Sequence, residues 1–235
     1  MGRIAPFLPY FHKQLAFTKQ CLLYSHRNYK SMAIKERKER EKQEMRKLII
    51  ESATQLFLKQ GYDKTSIRSI ADDIEYSPAT IYLYFKDKDE IFFIIHENAF
   101  EILEQHLRRN DVIADPFERL AALGKTYIEF GLQNPDYYDL MFIMRAPMEQ
   151  IKNEEKWRSG ECAFGYLLTT LSACLEENKI RQGDLYVTAI QVWSFVHGLV
   201  SLYVRERMCI LMMPDDATRE ILYSSFDLFL ANLKK

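Results

Sequence analysis

The sequence predicts an all-α chain, a small three-helix unit followed by a larger helical body. Three observations carry this. Only 8 Gly and 7 Pro punctuate 235 residues, too few for the many tight turns of an all-β fold. Apolar residues recur at three- and four-residue spacing along most of the chain. Helix-start signatures stand at regular intervals, among them Ser77-Pro78, Asp115-Pro116-x-Glu118 and Asn134-Pro135. With 48% hydrophobic and 28% charged residues, the chain reads as globular. No unbroken apolar run reaches the roughly 18 residues of a membrane span. The four cysteines are scattered, which predicts a reducing, cytoplasmic setting without a disulfide framework or zinc cage.

The net charge of −1 hides a gradient. Residues 1–31 hold five basic and no acidic residues; 32–90 hold twelve of each sign; 91–235 hold fifteen basic and twenty-one acidic. An acidic body is a poor nucleic-acid surface, so any such contact is expected in the first 90 residues. Residues 1–31, interrupted by Pro6, Pro9, His12 and Lys13, do not form a secretory signal. They read as a disordered extension or as sequence upstream of a true start at Met32. A basic arm on DNA phosphates is the alternative.

From Lys35 the charges alternate in sign. Leu48, Ile49, Ala53, Leu56 and Phe57 then give the helix one buried face. Gly61 ends it. Thr65 or Ser66 caps a second helix with Ile67, Ile70, Ala71 and Ile74 inside. Ser77-Pro78 opens a third helix to about Phe85, anchored by Ile81 and Phe85. Asp87-x-x-Glu90 resembles a capping box for a fourth. Three short helices over 44–90, the last two joined tightly, describe a helix-turn-helix. The third carries Pro78, Ala79, Thr80, Leu83 and the hydroxyl ends of Tyr82 and Tyr84 outward. These suit base edges and phosphates better than the Lys, Glu and Gln of an ordinary surface helix.

Two runs resemble the tetracycline-repressor (TetR) family. One is Ala53-x-x-Leu56-Phe57-x-x-x-Gly61-Tyr62-x-x-Thr65-Ser66-x-x-x-Ile70-Ala71; the other spans Ser77 to Glu90. The family usually has Gly where this chain has Glu75, so that turn uses an ordinary residue or an altered backbone. The resemblance implies contacts to an operator duplex. Thr65 and Ser66 would meet phosphate, and Arg68 a base edge. Ser77 caps a recognition helix whose Pro78, Ala79, Thr80 and Tyr84 face bases. Tyr82 and Lys88 would meet phosphate. For Arg68 the bland reading is a surface pair with Asp72; for Lys88 it is a solvated charge.

In the body, 91–235, helices are expected from Pro116 to about Gln133, after Asn134-Pro135, from Glu154 to Glu177, from Asp184 to Val204, and after Pro214. Asn134-Pro135-x-Tyr137-Tyr138-x-Leu140-Met141-Phe142 resembles the same family. Trp193-x-x-x-His197-Gly198 resembles a tryptophan-histidine-glycine signature of one C-terminal subclass. The resemblance implies a ligand-binding and dimerisation domain, with Ile190–Tyr203 and Ile221–Leu233 at the dimer contact. Phe130, Tyr138, Met141, Met144, Phe164, Trp193 and His197 are candidate pocket residues for a small apolar effector.

No cofactor is expected. His96-Glu97-Asn98-Ala99-Phe100 lacks the second His of a zinc-protease helix, and no nucleophile elbow, phosphate loop or dinucleotide fingerprint occurs. The expected function is a homodimeric, nucleoid-associated bacterial repressor that reads a palindromic DNA operator and leaves it on binding the effector. A DNA-bound scaffold without an effector is the alternative.

Overall fold

The structure, a computed structural model, describes residues 35–144 and 158–235. The basic stretch 1–31 and Met32 lie outside these residues. Nine α-helices are described: α1 (35–60), α2 (Ile67–Asp73), α3 (Pro78–Ile81), α4 (Lys88–Arg108), α5 (Pro116–Gln133), α6 (Pro135–Phe142), α7 (Arg158–Glu176), α8 (Leu185–Val204) and α9 (Asp215–Leu233). Short 3₁₀ turns follow α4 and α8.

The expected caps form. Asp115 accepts from the amides of Phe117 and Glu118 at 2.9 and 3.0 Å, and Asp184 from Val187 at 2.9 Å. Asn134 differs. Its side chain donates backwards to the Phe130 carbonyl at 3.0 Å, closing the end of α5 and leaving α6 uncapped by it. The α5–α6 junction is a single residue, so Asn134 serves the helix whose carbonyls lie within reach. The helix expected from Glu154 is described from Arg158.

Two apolar clusters form. The first joins Ile49, Ala53, Phe57, Ile70, Ala71, Ile81, Phe85, Ile91, Phe92 and Ile95, and receives Leu140 and Met144 from around α6. The second runs from Ala99 to Leu233 with α5 at its centre. Two glycines on α5 allow that packing. A Cβ on Gly124 would lie 2.0 Å from the Phe226 ring, and one on Gly131 would lie 2.4 Å from Val200. Burying such clusters stabilises each unit at ~25 cal/mol per Å² of apolar surface.

The expectation of no membrane-length apolar segment holds only for unbroken runs. Helix α8 has 20 residues and a mean hydropathy of 1.5, enough by length and composition to cross a membrane. Thr188, Gln191, Ser194, His197 and Ser201 interrupt it. One side packs on α5, α7 and α9, while Ile190, Ser194 and Leu202 lie exposed.

Candidate nucleic-acid interface

The geometry begins where α1 stops. Gly61 takes φ 81°, the left-handed region that glycine enters freely, and its amide donates to Phe57 at 2.9 Å. Thr65 is then drawn inward. It is 1% exposed, and its hydroxyl donates to the Gly61 carbonyl at 2.8 Å and accepts from Gln60 at 3.3 Å. That hydroxyl is internal, which corrects its expected place at a phosphate. Ser66 is the cap: its Oγ accepts from the Ser69 amide at 3.0 Å, and Ser69 Oγ accepts from the Ser66 amide at 2.9 Å. Serine in place of the usual Glu or Gln at the third position hid this reciprocal box. Arg68 extends into solvent, 3.9 Å from Asp72. A pair this long and exposed holds the guanidinium only loosely.

The turn into α3 is built on Glu75. The Glu75 amide donates to Asp72 at 3.3 Å and the Tyr76 amide to Ala71 at 2.9 Å, the paired bonds of a Schellman closure. Its left-handed position falls on Glu75, at φ 60°. Of the two possibilities read from the sequence, the ordinary residue takes the glycine conformation.

Ser77 caps α3, accepting from the Thr80 amide at 3.3 Å, and its hydroxyl lies 3.0 Å from that of Thr80. The helix is shorter than expected, ending at Ile81. Beyond it the Leu83 and Tyr84 amides bond three residues back, at 3.2 and 2.9 Å, which tightens the last turn. Buried Ile81 and Phe85 hold the segment down. Tyr82 is 57% and Leu83 78% exposed. Ala79 is exposed, Pro78 and Thr80 half-buried. Tyr84 is half-buried against the first cluster, and its carbonyl accepts from Arg46 at 2.6 Å. Arg46 also sits 4.3 Å over the Phe85 ring. This tie was not read from the sequence; a lone Arg one turn before Ile49 was its only signal.

Lys88 is neither free nor fully solvated. Its ammonium donates to the Tyr62 carbonyl at 2.9 Å and stands 3.8 Å over the Tyr62 ring. Burial lowers its pKa, with Asp63 opposing. The adjoining box is modified. Asp87 accepts from the Glu90 amide at 2.8 Å, but Glu90 reaches past the cap to the Lys86 amide, at 2.6 Å.

Comparison with known proteins decides the lineage. Residues 49–94 match the family of bacterial regulatory proteins named tetR, and residues 120–229 match the tetracyclin repressor-like C-terminal domain. The chain belongs to the TetR family of transcriptional regulators. It is a DNA-binding regulator of the helix-turn-helix type. Over 161 residues it is 29% identical to the HTH-type transcriptional regulator HbdR of Aromatoleum sp. (strain CIB), covering 66% of this chain and 69% of that one. It is 23% identical over 164 residues to the fatty acid metabolism regulator protein of Bacillus subtilis (strain 168), covering 66% and 81%. The TetR family regulator PfmR of Thermus thermophilus shares the fold, with a TM-score of 0.60 and 22% identity over 80% of this chain and 99% of that one.

Not all the pocket candidates of this TetR-family body come together. Tyr138, Phe164, Trp193 and His197 do, in a chain of ring contacts of 5.2–6.4 Å linked through Phe142. The Tyr127 and Tyr138 hydroxyls both lie 3.0 Å from His197 Nδ1. Burial lowers the His197 pKa and pushes Tyr138 up to about 12. Two candidates lie elsewhere. Met144, just past α6, packs on the first cluster. Phe130 faces His106 and borders an open cleft of about 500 Å³ with Asn110, Lys125, Glu129 and Tyr223. Helical periodicity gives the spacing of apolar residues but not which of two cores they enter. Met141 is buried, and its carbonyl lies 3.3 Å from His96 Nε2 on α4.

Proposed function

We propose that this protein is a homodimeric repressor that reads a palindromic operator with α3 and leaves it when an apolar effector enters the body. One observation carries the DNA reading. Tyr82, Leu83 and Ala79 stand out to solvent on a segment whose Ile81 and Phe85 are buried. A surface so apolar and hydroxylic is suited to thymine methyls and base edges. Pro78, Ala79 and Thr80 face bases, with Tyr84 at their edge. Ser66, Tyr82 and Lys88 meet phosphate, Ser77 fixes the helix start, and Arg68 swings to a base edge. Thr65 supports the turn. In the dimer, Ile190, Ser194, Gly198 and Leu202 of α8 and Leu228 of α9 meet their copies, setting the two α3 segments about 34–36 Å apart.

The effector site is the ring cluster around His197. The body is of the tryptophan-histidine-glycine subclass in this reading, which Trp193-x-x-x-His197-Gly198 supports. With a neutral imidazole and two protonated phenols, the cluster favours an apolar ligand with an uncharged polar head. The nearby Arg205 is already paired with Asp139 at 2.6 Å. Helix α6 carries Tyr138 in that cluster and Leu140 in the DNA-binding core, so a shift of α6 is felt by α4.

The test is operator binding by four variants. Tyr82→Phe and Lys88→Ala are expected to weaken binding to many sequences about equally. Thr80→Ala and Arg68→Ala are expected to change sequence preference. Unaltered binding in all four defeats the assignment.

A further inference from the structure

We propose that the projecting half of α1 is a second contact to the DNA backbone, flanking each half-site. The inference rests on the operator-binding reading above. Helix α1 packs only from Met45 onward; 35–44 is exposed throughout. Lys35, Lys38, Lys42 and Arg46 follow i, i+3, i+7, i+11 spacing. They share one helix face, which continues into buried Ile49 and Ala53. Glu36, Glu41 and Glu44 lie around the other sides, Glu39 borders the row, and two of the four have local partners. Glu41 pairs with Arg37 at 3.3 Å, and Glu39 accepts from Gln43 at 2.8 Å. Lys35, Lys38 and Lys42 have no ion pair among the described residues.

The direction of this face is set by Arg46. Its guanidinium grips the Tyr84 carbonyl at the end of the recognition turn and covers Phe85. The lysine row therefore leaves the globule at the edge where α3 presents Tyr82. From Arg46 to Lys35 it runs eleven residues, about 16 Å at 1.5 Å per residue. Residues 35–46 hold six basic and four acidic residues, a small excess inside a 32–90 stretch that is neutral overall, so composition alone gives little hint of it. The arrangement places four of these six cations on one side, with Arg37 and Arg40 on the other. A row of unpaired ammonium groups beside a base-reading segment matches the phosphates of the same duplex just outside the bases that α3 reads.

The experiment compares the full chain with the K35Q/K38Q/K42Q variant on a selected operator. Two duplexes are used, one ending at the half-sites and one extended by about one helical turn on each side. Binding is measured from 50 to 200 mM salt. The wild type is expected to bind the extended duplex more tightly and with a steeper salt slope. The variant is expected to lose that gain. Each lost phosphate contact should flatten the slope of log K against log salt by about 0.9, up to ~5 for the six lysines of a dimer. The K35R/K38R/K42R variant keeps the charge and is expected to keep the slope. Circular dichroism checks that helicity is unchanged. A variant with wild-type slope and affinity on the extended duplex overturns the proposal while leaving operator reading intact. A wild type that binds neither duplex overturns both.

Discussion

Glu75 occupies the left-handed position of the helix-turn-helix turn, at φ 60°, where a Schellman closure needs it. A side chain there costs about 1–2 kcal/mol, because Cβ crowds the carbonyl that follows. Glu75→Gly removes that cost but loosens the unfolded chain, by about 0.4–1 kcal/mol. The net expectation is a gain of about 0.5–1 kcal/mol. At a slope near 2 kcal/mol per molar, the urea midpoint rises by about 0.3–0.5 M with the slope unchanged. Glu75→Ala keeps the Cβ and is expected to give none of this. Glu75→Gln separates strain from charge, since it removes the carboxylate and leaves the conformation. The assay is equilibrium unfolding at one fixed protein concentration, because the proposed dimerisation would add to apparent stability. A Gly variant no more stable than the Ala variant refutes the strain assigned to the turn.

Other perturbations separate scaffold from contact surface. Thr65→Val strips a buried hydroxyl from Gly61 and Gln60 and is expected to cost about 1–2 kcal/mol of stability, with DNA affinity of the folded protein unchanged; unfolding and binding measured together check it. Gly124→Ala drives a methyl into the fully buried Phe226 ring and is expected to cost about 1–3 kcal/mol, read as a lower thermal midpoint. Burial lowers the pKa of both His96 and His197 in the folded protein. Their contribution is therefore complete above the ordinary value of 6.5 and is lost as pH falls below it. The urea midpoint is expected to drop between pH 7 and pH 5, less steeply in His197→Gln; a flat profile contradicts the burial.

What the sequence disclosed was mostly local. Ser66, Ser77, Asp87, Asp115 and Asp184 were readable as helix starts because capping is decided within four residues. Ile81 and Phe85 were readable as anchors because their spacing fixes a face. The two largest departures involve partners distant in sequence. Lys88 folds onto Tyr62, twenty-six residues away, and Arg46 onto Tyr84, thirty-eight away. Thr65 and Ser66 are neighbours of like chemistry, yet one turns in and the other out; only the path of the chain after Gly61 separates them. Residue type does not reveal which core is nearer, as Met144 shows, nor which side of one core a ring borders, as Phe130 shows at the cleft beside His106. Helix α3 stops a turn early where the Leu83 and Tyr84 amides bond three residues back, and Arg46 takes the Tyr84 carbonyl there.

The most direct test of the central claim is selection from a random duplex pool by the purified, ligand-stripped protein at stated salt. The expected result is enrichment of a two-fold-symmetric site with half-site centres one helical turn apart, lost in a variant carrying Thr80→Ala together with Tyr82→Phe. A folded dimer that enriches no sequence contradicts it and leaves a scaffold of the same fold as the better description.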